Sequence, residues 1–392
     1  MLFLGDVADL AALVLRHLLE ILEAAMNPVP ESSLPQQHED VSTSAGGAAS
    51  SASSPPLLAI IVPTYNRAAC LRLLLGTLEV ELAGLSGRVQ VLVSDNGSAD
   101  DTPQVVREFE RRIPGLVAIR HATNLGPDEN FCRCVELVDA DHFWIIGDDD
   151  LPRAGAIAQL LPMLHRHRPD LVNVRTFGRA RLDHNDPQAP VDKLEVHALD
   201  RVAFARRVNV LTTFISGVIV RRDVFAANAG SARLRRYAGT HLVQLSWVLG
   251  TLAKGDRLFQ VQTICMFAKS GNSGGYALLK VFGENFPAIV REQFGRGSAI
   301  AEAMISRYAI EYMSHLVWSL RQGQAGDFAR EPAAAALAPQ LGESASFPLL
   351  MAIATAPLPV ARALRLACRI AARALRWMDS ARSLFGRRTR VA

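Results

Sequence analysis

Residues 143–152 read FWIIGDDDLP, an apolar run that stops in three adjacent carboxylates, Asp148, Asp149 and Asp150. Like charges at that spacing repel, and a carboxylate taken out of water without a partner is costly. Something must therefore sit opposite them. Three other apolar runs end in polar clusters: Pro63-Thr64-Tyr65-Asn66-Arg67, Asp95-Asn96-Gly97-Ser98 and Asn124-Leu125-Gly126. One such cluster is ordinary turn chemistry. Four at the ends of successive strands point to a site, because open parallel sheets bind ligands beyond the carboxyl ends of their strands.

The elements that would place these clusters follow from periodicity. Short apolar, β-branched runs at 57–62, 88–95, 116–121, 142–147 and 170–177 predict buried strands. Helical patterns fill the gaps, one of them opening at 100–103 with Asp100 or Asp101 as cap and Pro103 in the first turn. Alternation of this kind predicts an α/β fold, a doubly wound, mostly parallel sheet with helices on both faces.

The rest of the 392 residues sets bounds. A hydrophobic fraction of 49% and a charged fraction of 20% are globular, and a net charge of +4 is too small to name a partner. Five scattered cysteines give no disulfide framework, and Cys132-x-Cys134 lacks zinc spacing, so a reducing cytoplasm is expected. Residues 1–26 are apolar but broken by Asp6, Asp9, Arg16, Glu20 and Glu23, which predicts an amphipathic helix rather than a signal or a membrane span. Residues 27–56, rich in Ser, Ala, Gly and Pro, predict a flexible linker.

IIVPTYNR (60–67), VLVSDNGSADDT (91–102), NLGPDEN (124–130) and WIIGDDDLP (144–152) resemble, in order and spacing, the family-2 inverting glycosyltransferases of the GT-A fold. The resemblance covers about 57–180 well and thins through about 290. It implies a GT-A domain over 57–290; beyond it, the residue pattern predicts a helical C-terminal region over 291–392. The form GDDDLP is similar to the abequosyltransferase-like branch of O-antigen assembly.

That resemblance implies roles. Pro63, Tyr65, Asn66 and Arg67 would hold the donor base, and Asp95 would accept an imide N–H of a pyrimidine. Asn124 and Gly126 would lie beside the nucleotide. The GDDD element stands for the family's Asp-x-Asp, with Gly147 where the first Asp often is. A nucleoside diphosphate and these carboxylates can share a pocket only around a cation, so Mn²⁺ or Mg²⁺ is implied. Asp149 would be the principal ligand, Asp148 would face the ribose or share the metal, and Asp150, nearby, would be a third ligand. A solvated acidic turn is the alternative.

Inverting transfer also needs a base for the acceptor hydroxyl. The stretch 233–249, RLRRYAGTHLVQLSWVL, where the family carries an acidic pair, has no Asp or Glu, which leaves His241, read as opening a helix. Asp223 reads as a helix cap. The Gly/Ser loop 267–276 could close over donor or acceptor. Near the C-terminus Arg362, Arg365, Arg369, Arg373 and Arg376 share one helical face, and Val360, Leu364, Ala371, Leu375 and Met378 the opposite one, with Trp377 on a flank. Such a helix suits an anionic membrane surface, and a solvated face of a packed helix is the alternative. No nucleic-acid module is visible. The expectation is a peripheral enzyme of the inner face of the plasma membrane, acting on a lipid-linked saccharide. A nucleotidyltransferase or a non-catalytic scaffold of the same fold are the rivals.

Overall fold

A computed structural model of the chain describes residues 55–85, 87–182, 189–270, 275–324, 332–344 and 346–386, without the side chains of 227–232 and 380–386. The expected helix over 1–26 and the linker up to residue 54 lie outside the described residues. Contacts divide the chain between Pro55 and Pro56 into two units, and every described strand and helix belongs to the second.

Nine strands form one sheet: β1 (Leu58–Thr64), β2 (Val89–Asp95), β3 (Val117–Arg120), β4 (His142–Ile145), β5 (Leu151–Pro152), β6 (Leu171–Arg179), β7 (Val196–Leu199), β8 (Val218–Arg221) and β9 (Leu258–Lys269). Their order is β3-β2-β1-β4-β8-β6-β9-β5, with β7 also on β9. The half β3-β2-β1-β4 is parallel, as the strand–helix alternation predicts. The other half is mixed: β8 runs antiparallel to β4 and β6, β9 runs parallel to β6, and β5 and β7 are antiparallel to β9.

The helices are α1 (Ala68–Glu81), α2 (Thr102–Glu110), α3 (Pro127–Glu136), α4 (Ala156–His167), α5 (Arg201–Val208), α6 (Arg222–Leu234), α7 (Leu245–Lys254), α8 (Phe286–Phe294), α9 (Ala299–Tyr308), α10 (Ser314–Arg321), α11 (Ala333–Leu341), α12 (Phe347–Thr355) and α13 (Leu358–Gly386). Every residue of β1 is buried, because helices cover both faces of the sheet. Leu71, Leu74, Leu75 and Leu78 of α1 and Leu160, Leu161 and Leu164 of α4 pack with Ile60, Val62 and Val91 in one core. Side chains three and four apart on a helix share a face, and these spacings turn that face to the sheet.

The helices beyond residue 290 cluster with the sheet in the same unit. No helix among the described residues is long and apolar enough to cross a membrane. On α13 the face carrying Leu364, Ala371 and Leu375 is buried against the domain. Amphipathicity alone would allow that apolar face to enter a membrane; the structure instead uses it as core.

Candidate active site

The ends of β1 and β2 lie in register, with Thr64 opposite Asp95. Beyond them the two loops are stapled together. Asn66 adopts a left-handed conformation, φ 53°, which Asn tolerates better than most residues. Its backbone N–H donates to Ser98 Oγ at 2.9 Å, and its Oδ1 accepts from Ala99 N at 2.8 Å. Asp100 bridges the starts of two helices, accepting from Ala68 N at 3.1 Å and Thr102 N at 3.0 Å. Asp101 is the residue at the α2 cap position but its side chain makes no cap bond.

Asp95 is buried, and its Oδ1 accepts from Ser98 N at 2.9 Å. Its Oδ2 lies 3.3 Å from Arg120 Nε, an ion pair without hydrogen-bond alignment. A buried carboxylate oxygen without a hydrogen bond has capacity for a donor. Asn96 and Asn124 serve the loop instead. Asn96 Nδ2 donates to Asn124 Oδ1 at 2.9 Å and to the Gly126 carbonyl at 3.1 Å, and Asn96 Oδ1 accepts from Leu125 N at 2.9 Å. Asn124 Oδ1 also accepts from Gly126 N at 2.8 Å. Gly97 has φ 77°, and a Cβ there would stand 2.8 Å from the Thr123 carbonyl carbon, so the two loops touch only because this residue is glycine. Tyr65 stands at the rim, 41% exposed, its ring available for stacking.

The three aspartates face three ways. Asp148 is buried and accepts from Thr64 Oγ1 at 2.7 Å. Arg67 Nη1 lies between Asp148 Oδ1 at 3.2 Å and Asp149 Oδ2 at 2.6 Å. A resident guanidinium therefore answers two of the three charges. Burial works against the charge on Arg67, but Asp148 and Asp149 outweigh it and raise its pKa. Asp150 turns away: its Oδ2 accepts from Ser216 Oγ at 2.5 Å and its Oδ1 from Lys269 N at 3.1 Å. Ser216 Oγ in turn accepts from Gly147 N at 2.9 Å. Asp150, expected as a third metal ligand, instead clamps the turn to β9 and to the segment before β8. Burial pushes Asp148 up to about 6, against the pull of Thr64 and Arg67, and pushes Asp150 up to about 6, against that of Ser216. At Gly147 a Cβ would meet Asp150 Oδ2 at 3.1 Å and Asp149 Oδ1 at 3.3 Å.

Among the described residues no three Asp, Glu, His or Cys side chains converge as ligands of one ion. The pair Asp148 and Asp149 does fit a divalent cation. Their oxygens already share one positive group, and Mg²⁺ or Mn²⁺ needs only one or two carboxylates when phosphate and water supply the rest.

His241 does not open a helix. It lies four residues before α7 in a turn, exposed, with φ 61°. Its ring stacks on Tyr276 with centroids 4.8 Å apart. The half-buried Asp128, in the first turn of α3, accepts from Gly239 N at 2.6 Å. Burial raises the pKa of Asp128, while the Gly239 N–H and the His241 imidazole pull it down. So the carboxylate missing from 233–249 arrives from more than a hundred residues earlier. Nothing in the local sequence signals that pairing.

Lys269 N is bonded to Asp150, and Tyr276 is stacked on His241. From His241 the contacts pass through Asp128 and the Gly126 turn to Asn96, next to Asp95. Residues 271–274 of the Gly/Ser loop lie outside the described residues.

Comparison with known proteins bears on this arrangement. Residues 59–227 match the sequence profile of Glycosyl transferase family 2. The abequosyltransferase RfbV of Salmonella typhimurium is 27% identical over 177 residues, 41% of this chain and 52% of that protein. A validoxylamine A glucosyltransferase of Streptomyces hygroscopicus subsp. jinggangensis is 48% identical over 55 residues, 14% of this chain and 13% of that one. The match thus spans about half the length of the first curated relative, and far less of the second. Among solved structures, a mannosyltransferase from Pyrobaculum calidifontis in complex with GDP-Man and Mn²⁺ superposes with a TM-score of 0.47 at 15% identity, covering 97% of each chain. S. aureus TarS 1-349 in complex with UDP does so with 0.49 at 14%, covering 85% of this chain and 93% of that one.

Proposed function

We propose, from the match of residues 59–227 to Glycosyl transferase family 2, that this protein transfers a sugar, with inversion, from a nucleoside-diphosphate sugar to a saccharide hydroxyl. The acceptor is a lipid-linked saccharide in O-antigen-like surface polysaccharide synthesis, reached from the inner face of the plasma membrane. The observation that carries the reading is the gathering of Asp95, Tyr65 and the Arg67–Asp148–Asp149 group at the neighbouring ends of β1, β2 and β4.

The donor base stacks near Tyr65 and donates an imide N–H to Asp95 Oδ2, the oxygen that lacks a hydrogen bond. Thr64 orients Asp148, and Arg67 holds the charge of Asp148 and Asp149 together. Mn²⁺ or Mg²⁺ held by Asp149 and Asp148 would supply positive charge for the departing diphosphate. Asp150 fixes the turn that presents them. His241 takes the proton of the acceptor hydroxyl as that oxygen bonds to the anomeric carbon and the diphosphate leaves with the bonding pair. Asp128 beside it favours the imidazolium so formed. The half-buried Asp128 is also what disfavours the scaffold reading, since that reading rests on a missing carboxylate. A thermal-shift screen of nucleoside-diphosphate sugars with Mn²⁺, followed by transfer to a saccharide acceptor, tests the proposal. Stabilisation by one donor is expected; no shift with any donor would overturn it.

A further inference from the structure

The helix α13 is clamped from beneath. Ala361, Leu364, Cys368, Ala371, Ala372 and Leu375 are buried. Asp379 is buried as well, 3.0 Å from Arg307 Nη2 and 3.2 Å from Arg206 Nε. Arg307 is itself only 4% exposed and pairs with Glu311 at 3.0 Å. Peeling the helix away would strand these charges and uncover the apolar face, each at a cost.

Its outer face is unlike the rest of the surface. Leu358, Leu366, Ile370 and Trp377 are 48%, 54%, 59% and 72% exposed. Arg362, Arg369, Arg373 and Arg376 are exposed among them. At 100° per residue all eight fall within an arc of about 120°, and from 358 to 377 the stripe is about 28 Å long. No acidic residue lies on the helix between 358 and 378. Among the described residues no carboxylate lies within ion-pair distance of Arg362, Arg369 or Arg373, while Arg376 is 3.4 Å from Glu311. His315 of α10 faces Arg365 and Arg369, and burial and these two cations hold its imidazole below the usual range. Apolar side chains interleaved with the cations Arg362, Arg369 and Arg373 match one occupant best, an anionic lipid surface in which Trp and Leu enter the interface and Arg meets phosphate.

We propose that this outer stripe docks the protein on anionic lipid while α13 stays seated on the domain, so that the candidate active site is held at a fixed orientation to the membrane. This deepens the membrane part of the proposed function and rests on it. The test is co-sedimentation of the full chain with vesicles of phosphatidylcholine alone or with ~30% phosphatidylglycerol, with donor binding measured in parallel. Binding only to the anionic vesicles is expected. The triple variant Arg362→Gln, Arg369→Gln, Arg373→Gln should lose on the order of 100-fold in affinity at unchanged melting temperature and donor binding. Trp377→Phe should abolish the quenching by brominated lipid that the parent shows. On vesicles the amides of 361–375 should keep their protection from hydrogen exchange. Equal binding to neutral vesicles, undiminished binding of the triple variant, or loss of that protection overturns the proposal. Donor binding that fails while lipid binding holds would instead count against glycosyl transfer alone.

Discussion

Replacing Asp150 with asparagine distinguishes a clamp from a metal ligand. In the folded protein burial holds this carboxyl near 6, about two units above the 3.8 of an unperturbed aspartate. The folded state therefore binds the proton more tightly than the unfolded one. Stability from this group is greatest below about pH 4, falls as pH rises through 6, and is flat above about 7. At about 1.4 kcal/mol per unit, the ionised group sets up to ~3 kcal/mol against the fold at neutral pH. Asparagine keeps the shape: its Oδ1 can accept from Lys269 N, and its amide can donate to Ser216 Oγ, which already accepts from Gly147 N. Asp150→Asn should thus stabilise the protein by ~1–3 kcal/mol at about pH 7.5 and by about a third of that at about pH 4.5. With unfolding entropy near 2 cal/mol/K per residue, that is a rise in Tm of roughly 2–4 °C, read by thermal unfolding at the two pH values. Donor binding with Mn²⁺ should stay within about threefold of the parent, since Asp150 points both oxygens into protein. A destabilised variant at the higher pH, or an equal gain at both pH values, would refute the burial argument. A tenfold or greater loss of Mn²⁺-dependent donor binding would restore Asp150 as a ligand.

Other perturbations address the remaining groups. Asp149→Asn should abolish transfer, as should chelation by EDTA; full activity in EDTA removes the metal. Arg67→Gln takes away the guanidinium that lies between Asp148 and Asp149, so Mn²⁺ should bind the nucleotide-free protein at least ~10-fold more tightly in calorimetry. Unchanged affinity would show that Arg67 and the ion do not compete. His241→Gln should lower kcat by roughly 10²–10⁴ with the donor KM little changed, on the usual scale of a lost general base. Asp128→Asn should cost about tenfold in kcat with the donor KM little changed, read by steady-state kinetics, because the imidazolium formed in transfer loses its neighbouring carboxylate. An unchanged kcat would separate Asp128 from His241.

Much of this molecule can be read from local pattern. The strands 58–64, 89–95 and 142–145 are buried on both faces, so they spell themselves out as apolar runs, and the parallel half of the sheet follows from the helices between them. The antiparallel course of β8 is not legible, because it depends on how 180–217 returns across the sheet. Nor is β9, whose last residues 267–269 read as part of a glycine-rich loop. Type and spacing pick out the aspartates but not their directions, since Arg67, Ser216 and Lys269 come from three distant segments. Chemistry alone singles out His241; its left-handed turn and its neighbour Asp128 are tertiary facts. The Arg stripe of α13 is visible on a helical wheel, yet that helix has two apolar sides, and a wheel does not tell which one the domain claims.

Gly147, expected at the place of the first acid in an Asp-x-Asp element, has its backbone close against the carboxylates of Asp149 and Asp150. A side chain introduced there arrives within 3.1 Å of Asp150 Oδ2. That is tighter than most Cβ contacts, so the Asp150 carboxylate must give by a few tenths of an ångström, and any larger turn undoes its bonds to Ser216 and Lys269. An engineer wishing to add a ligand at 147 can ease its approach by shortening residue 150.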